Sequence, residues 1–325
     1  KNITKMNKKS WKYLVPCMAF ALCSVAFTSC GDDDEGGPTP QGPTTTFAGK
    51  LPTQVGSYTF HYDDNGRCTR VSSSYGNVLE IDYKRNIIMT DGEDDYMNIT
   101  FNGKGYITKM SGSWNYSEGG EYEKGSGTVT FKYDGDGHLK TYTGTSKESY
   151  SYDGEKYSYT GYGNVSCTWR GGNLVSAEYT YEETENGDKD IETEDYTITY
   201  DETSDNETRQ CPMALNDIFG DDMFLLAIVG LYGEGPAQLP ERIECVGKDN
   251  YGSSYTDITN AAYGLNADGT IDWESLNGYR YDYSYTTFSS GDNAETAAYN
   301  MAKAMQAGQK KLRVRDFFMH KRNRK

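Results

Sequence analysis

Three stretches of this chain are variations on one seven-residue pattern. "YDDNGRC" begins at Tyr62, "FNGKGYI" at Phe101 and "YDGDGHL" at Tyr133. Each has an aromatic residue, a glycine four positions on and an apolar residue, or cysteine, two further. "WRGGNL", from Trp169, is one residue shorter before its apolar Leu174, and "LNADGTI", from Leu265, keeps Gly269 and Ile271. The first four units start 39, 32 and 36 residues apart, the length of two to four strands. Such a unit reads as a hairpin turn. The aromatic ends one strand. Asp or Asn caps the turn through its side chain, and Gly66, Gly105 and Gly137 supply the positive φ of a bulged hairpin. Cys68, Ile107 and Leu139 then open the return strand. A chain punctuated in this way folds into one antiparallel sheet of successive hairpins.

Asp134, Asp136 and His138 alternate inside the third unit, which raises the question of a metal loop. A calcium loop of EF type needs acids at positions 1, 3 and 5, glycine at 6 and Glu at 12. Counting from Asp134 places Leu139 at 6 and Thr145 at 12. The units from Phe101 and Trp169 have no acid in the turn and keep the same shape. The stretch is therefore read as a turn, with no metal and no cofactor expected.

The rest of the chain agrees with a sheet. It has 29 tyrosines and 36 glycines against 8 prolines, a composition of pleated surfaces and turns. Asn186-Gly187 lies between two Tyr-bearing arms, a strong hairpin signal. Tyr279, Tyr281, Tyr283 and Tyr285 recur at period two and so share one face of a strand, making them candidate ligand-facing aromatics. The segment Asn216–Pro240 differs. Its apolar run predicts a helix from Met223 to about Leu231, capped by Asp221 or Asp222 and stopped by Gly233, packed on the sheet or plugging its concave side. A second helix is expected from Asp292 to about Ala307, followed by a basic tail. Of the four cysteines within the sheet region, Cys68, Cys167, Cys211 and Cys245, the first sits in a packed turn position. The spacing chooses none of the three pairings, and free thiols remain open.

The first 29 residues read as an export signal, with five lysines and no acid ahead of the apolar run Tyr13–Phe27. "FTSC", Phe27–Cys30, resembles the lipobox of bacterial lipoproteins, which implies lipidation at Cys30 and anchorage in the outer membrane. The acids Asp32–Glu35 after it resemble the surface-export signal of Bacteroidetes lipoproteins, and residues 30–46 form a Gly/Pro/Thr linker. Without the five signal lysines the chain carries 27 Lys and Arg against 48 Asp and Glu, a net charge of −21. Such a surface repels phosphates, so nucleic acid is not an expected partner.

The repeated turns, the "NLVSAEY" unit, "FLLAIVGLYGEGPAQLP" and "LNADGTIDW" together resemble a Bacteroidetes secreted-lipoprotein domain family of unknown function with a porin-like fold. The resemblance covers about Phe47 to Phe288. It implies a large curved antiparallel sheet over residues 47–290, barrel-like or partly open, and brings no activity. No Gly-x-Ser-x-Gly, HExxH or CxxC motif is present, so no catalytic residue is expected. The expected function is that of a non-catalytic binding module, with glycan as a ligand class. The alternatives are a structural protein of the envelope with a protein partner and, more distantly, a glycan-active enzyme.

Overall fold

The structure, a computed structural model, describes residues 47 and 49–288 except 74–75, 91–95, 119–120, 153–154 and 221–223. The sequence-derived signal, the linker and the expected C-terminal helix lie outside the described residues. Sixteen antiparallel strands follow one another around a closed barrel. They are β1 (Lys50–Val55), β2 (Tyr58–Tyr62), β3 (Cys68–Ser73), β4 (Gly76–Asp82), β5 (Ile87–Met89), β6 (Tyr96–Phe101), β7 (Ile107–Glu118), β8 (Glu121–Tyr133), β9 (Leu139–Tyr152), β10 (Glu155–Arg170), β11 (Asn173–Glu185), β12 (Asp188–Asp205), β13 (Gln238–Asp249), β14 (Ser254–Leu265), β15 (Ile271–Leu276) and β16 (Tyr279–Thr287). β1 pairs with β16, from Lys50 opposite Thr287 to Val55 opposite Tyr283. Closure leaves no strand edge unpaired. The expected sheet is thus a full barrel.

The repeated units form turns at one rim. In each of the Asp63, Asn102, Asp134 and Asn266 turns, the first residue's N–H donates to the carbonyl four residues on. The glycine's N–H donates back, as Gly137 N does to Asp134 O at 3.3 Å. Gly66, Gly105, Gly137 and Gly269 all have positive φ. The side-chain oxygen of Asp63, Asn102 or Asp134 accepts backbone N–H groups within the same turn. Asp249–Ser253 repeats these hydrogen bonds at the opposite rim. There an aromatic does not precede the turn, and the sequence pattern missed it.

The aromatic position of the unit has a further use. Tyr133 Oη donates to Ile107 O at 2.6 Å, Trp169 Nε1 to Leu139 O at 2.8 Å and Tyr200 Oη to Leu174 O at 2.9 Å. Tyr83 reaches Cys68 O in the same way. Each acceptor is the first or second residue of a return strand, next to the bulge where the ladder skips a pair. One unit's aromatic therefore satisfies the carbonyl that its neighbour's bulge frees, which links successive turns into a belt.

The long connection between β12 and β13 fills the lumen at this rim. It contains a 3-10 turn, Met213–Leu215, then α1 (Asn216–Phe219) and α2 (Phe224–Ile228). The expected helix to Leu231 is shorter because Gly230 takes φ 74 and turns the chain one residue after Val229. Leu215, Phe224, Leu225, Leu226, Ile228 and Leu231 are each at most 2% exposed. Their partners come from around the barrel. Phe224 meets Tyr58 edge-on, Tyr232 stacks on Phe131, and Ile107 N donates to Leu231 O. Tyr142 Oη, on β9, donates to Ile218 O. The core of the molecule is this plug inside the barrel.

The outer face is polar. Outward positions of β9 are Thr141, Thr143, Thr145, Lys147 and Ser149, and those of β10 include Ser158, Thr160, Tyr162, Asn164, Ser166 and Thr168. Inward positions on the same strands include Tyr142, Val165 and Cys167, all buried. A barrel facing lipid needs the opposite arrangement, an apolar outer band and a polar lumen. The outward positions of these two strands form no such apolar band. Among the described residues no helix is long and apolar enough to cross a membrane.

Candidate functional site

Strands β7 to β13 are 12 to 18 residues long, while β1 to β6 have 3 to 7. One side of the barrel therefore stands taller and extends beyond the plug as a curved wall. Cross-strand register fixes what faces inward there. Gly125 pairs with Glu148, Glu148 with Tyr159, Gly163 with Tyr181, Tyr181 with Glu192, Tyr179 with Glu194, and Gly247 with Tyr255. Tyrosines and carboxylates thus alternate across the strands. Glu148, Glu192 and Glu194 are 5–7% exposed.

The glycines make room for rings. A Cβ on Gly247 would lie 2.0 Å from the Tyr255 ring, and one on Gly125 2.3 Å from Trp114. Tyr181 Oη donates to Glu183 Oε2 at 2.7 Å and contacts Tyr159 Oη at 2.5 Å. Tyr196 Oη donates to Glu194 Oε2 at 2.7 Å, and Tyr255 Oη donates to the other oxygen of Glu194. Tyr150 stacks on Tyr157 at 4.9 Å and donates to Glu185. Burial pushes the Tyr159 and Tyr181 hydroxyls well above the usual tyrosine range, and Glu183 pushes them further. They remain protonated donors to the carboxylates. The wall thus sets aromatic faces and hydroxyl donors beside carboxylate acceptors. The sequence shows its tyrosines at period two but not their alignment with acids from the next strand.

The four candidate tyrosines of β16 take different places. Tyr283 is 5% exposed, and its hydroxyl donates to Glu274 Oε2 at 2.8 Å. Tyr285 donates to Gln210 at the base of the plug. Tyr281 is half-buried beside Gly56, and Tyr279 is 76% exposed at the rim. Tyr283 and Tyr285 therefore hold the plug. Glu274 is the residue that sequence reasoning missed. It is fully buried on β15 and accepts the N–H groups of Met213 and Ala214 at 2.9 and 2.7 Å. Burial pushes its carboxyl up to about 7, against the pull of Tyr283 and the two N–H groups. As one acid among many it carried no signal.

Asp134, Asp136 and His138 do come together, with ligand atoms within 4.8 Å of one another. Asp134 Oδ1 accepts three backbone N–H groups, from Asp136, Gly137 and His138, and Oδ2 lies 3.1 Å from His138 Nδ1. Burial opposes ionisation of Asp134, yet these hydrogen bonds outweigh it and hold the carboxyl below the usual range. The His138 ring stacks on Trp169 at 4.3 Å. Both oxygens of Asp134 serve the turn. Cys68, Cys167, Cys211 and Cys245 are buried and stand outside any disulfide. Burial pushes the Cys68 and Cys167 thiols up to about 12, so they act as small packed groups. Cys30 lies outside the described residues.

No family model matches the chain, and no curated protein matches it. Among solved structures it is similar to a porin-like protein from Bacteroides vulgatus ATCC 8482, at 16% identity over 73% of this chain and 99% of that one, with a TM-score of 0.47. It is also similar to a porin-like protein from Bacteroides uniformis ATCC 8492, at 13% identity over 64% of this chain and 95% of that one, with a TM-score of 0.25.

Proposed function

We propose that this chain is a lipoprotein of the outer membrane, anchored through Cys30 and displayed on the cell surface, whose barrel is a non-catalytic binding module. The lipobox-like "FTSC" and the acidic linker support the anchor, and the polar outer face supports a barrel held in water beside the membrane. The observation that carries binding is the wall of alternating tyrosines and buried carboxylates across β9 to β14. Its chemistry suits a glycan: rings stack on tyrosine faces, and sugar hydroxyls donate to carboxylates. A glycan array probed with residues 47 to 288, which hold all sixteen strands and the closing β1–β16 pair, beside a Tyr157→Ala/Tyr150→Ala variant, tests this. Binding that the variant loses supports the reading. Absence of binding to every glycan removes it. The role of Tyr283 and Tyr285 in holding the plug favours a second reading, a structural protein of the envelope whose tyrosines serve packing alone.

A further inference from the structure

We infer that the wall is the docking site of the chain's own basic C-terminal segment, residues 309–325. Charge is the first ground. Inward positions of β8 to β12 include Glu123, Glu148, Glu183, Asp190, Glu192 and Glu194. The lysines and arginines inside β7, β8, β10, β12 and β13 fall on the opposite register: Lys109, Lys124, Lys132, Lys156, Arg170, Lys189, Arg242 and Lys248 all face outward. The barrel has sorted its cations to one face and left a carboxylate-lined surface on the other. The segment 309–325, "QKKLRVRDFFMHKRNRK", is the chemical complement. It carries eight Lys and Arg against one acid, and Phe317 and Phe318 to set against tyrosine rings. In a chain with 48 acids, this is a concentrated block of positive charge.

Chain length is the second ground. β16 ends at Thr287 on the rim of the repeated turns, where the plug fills the lumen. The wall lies toward the opposite rim. From Asp205, near the turn rim, to Glu192 is 13 residues along β12, which is about 43 Å of strand and about 33 Å along the axis at an ordinary tilt. With the expected helix from Asp292 to Ala307 formed, the 21 residues from 289 to 309 still span about 41 Å, the sum of helical rise and extended flanks. The tail therefore reaches over the far rim into the wall within one molecule. Tethering keeps its effective concentration high, so a modest affinity suffices for docking. The inference concerns the same wall as the glycan reading but does not depend on it, and its test uses the chain alone.

The test is carbodiimide crosslinking of the chain from residue 30 to 325, with Cys30→Ala, mapped by mass spectrometry. We expect intramolecular links from Lys310, Lys311 or Lys321 to Glu148, Glu192 or Glu194. Chymotrypsin supplies a second readout. Cleavage after Phe317 and Phe318 should be at least tenfold slower in the parent than in the variant Lys310→Glu/Lys311→Glu/Arg313→Glu/Arg315→Glu, which leaves the barrel sequence untouched. Links confined to outward-facing acids, links only between separate chains, or equal cleavage of parent and variant would each overturn the inference.

Discussion

Glu274 fastens the plug to the barrel wall, so removing its acceptors has a calculable cost. Its two oxygens take three buried donors, Met213 N, Ala214 N and Tyr283 Oη. A buried donor left without an acceptor costs about 1–3 kcal/mol. Glu274→Ala therefore loses at least about 3 kcal/mol, and Glu274→Gln, which keeps one acceptor oxygen, about 1–3 kcal/mol. The pH dependence is more diagnostic. The carboxyl ionises near 4.5 in the unfolded chain and at about 7 in the fold. Its folded value is raised, so the stability it contributes is full below the unfolded value and falls as pH rises towards 7. At 1.36 kcal/mol per pH unit, the advantage of the parent over Glu274→Gln shrinks by about 2 kcal/mol between pH 5.5 and 7. Urea unfolding followed by far-UV circular dichroism at pH 5.5, 6.5 and 7.5 measures that gap. A gap constant with pH refutes the reasoning. A gap that widens with pH means the three donors outweigh burial and the group sits ionised.

Cys30→Ala releases the protein from the membrane fraction and abolishes acyl labelling, and continued labelling of the variant rules out the anchor. Gly137→Ala forces φ 102 on a residue with a side chain and destabilises by about 1 kcal/mol or more, read as a lower urea midpoint. Calcium or zinc leaves the melting temperature unchanged. A saturating rise that disappears in Asp136→Asn marks a metal site at this turn. Tyr133→Phe removes the donor to Ile107 O and costs about 1 kcal/mol in the same urea assay, whereas an unchanged midpoint means the belt does not contribute to stability.

The turns were legible because their hydrogen bonds run between residues at most four apart, so aromatic, Asx, glycine and apolar positions all fall within seven residues. Asn186-Gly187 was legible for the same reason, and both residues have positive φ. Closure was not. Lys50–Val55 meets Tyr283–Thr287 across more than 220 residues of chain, and neither strand differs locally from an edge strand. Period two placed Tyr279 to Tyr285 on one face, but it does not say whether that face meets a ligand or a plug. The wall was invisible because its tyrosines and acids are spread over six strands, and only the register lines them up. The helix limit failed on a choice between two glycines: Gly230 already turns the chain, and Gly233 comes too late to matter.

The central claim is that this barrel keeps its apolar side within and its polar side in water. Phase separation in a nonionic detergent with a low cloud point tests it directly, using the chain from residue 47 to 325, which lacks Cys30. The account predicts a folded, β-rich protein that stays in the aqueous phase and is monodisperse without detergent. Partition into the detergent phase, or aggregation that only detergent relieves, would contradict it.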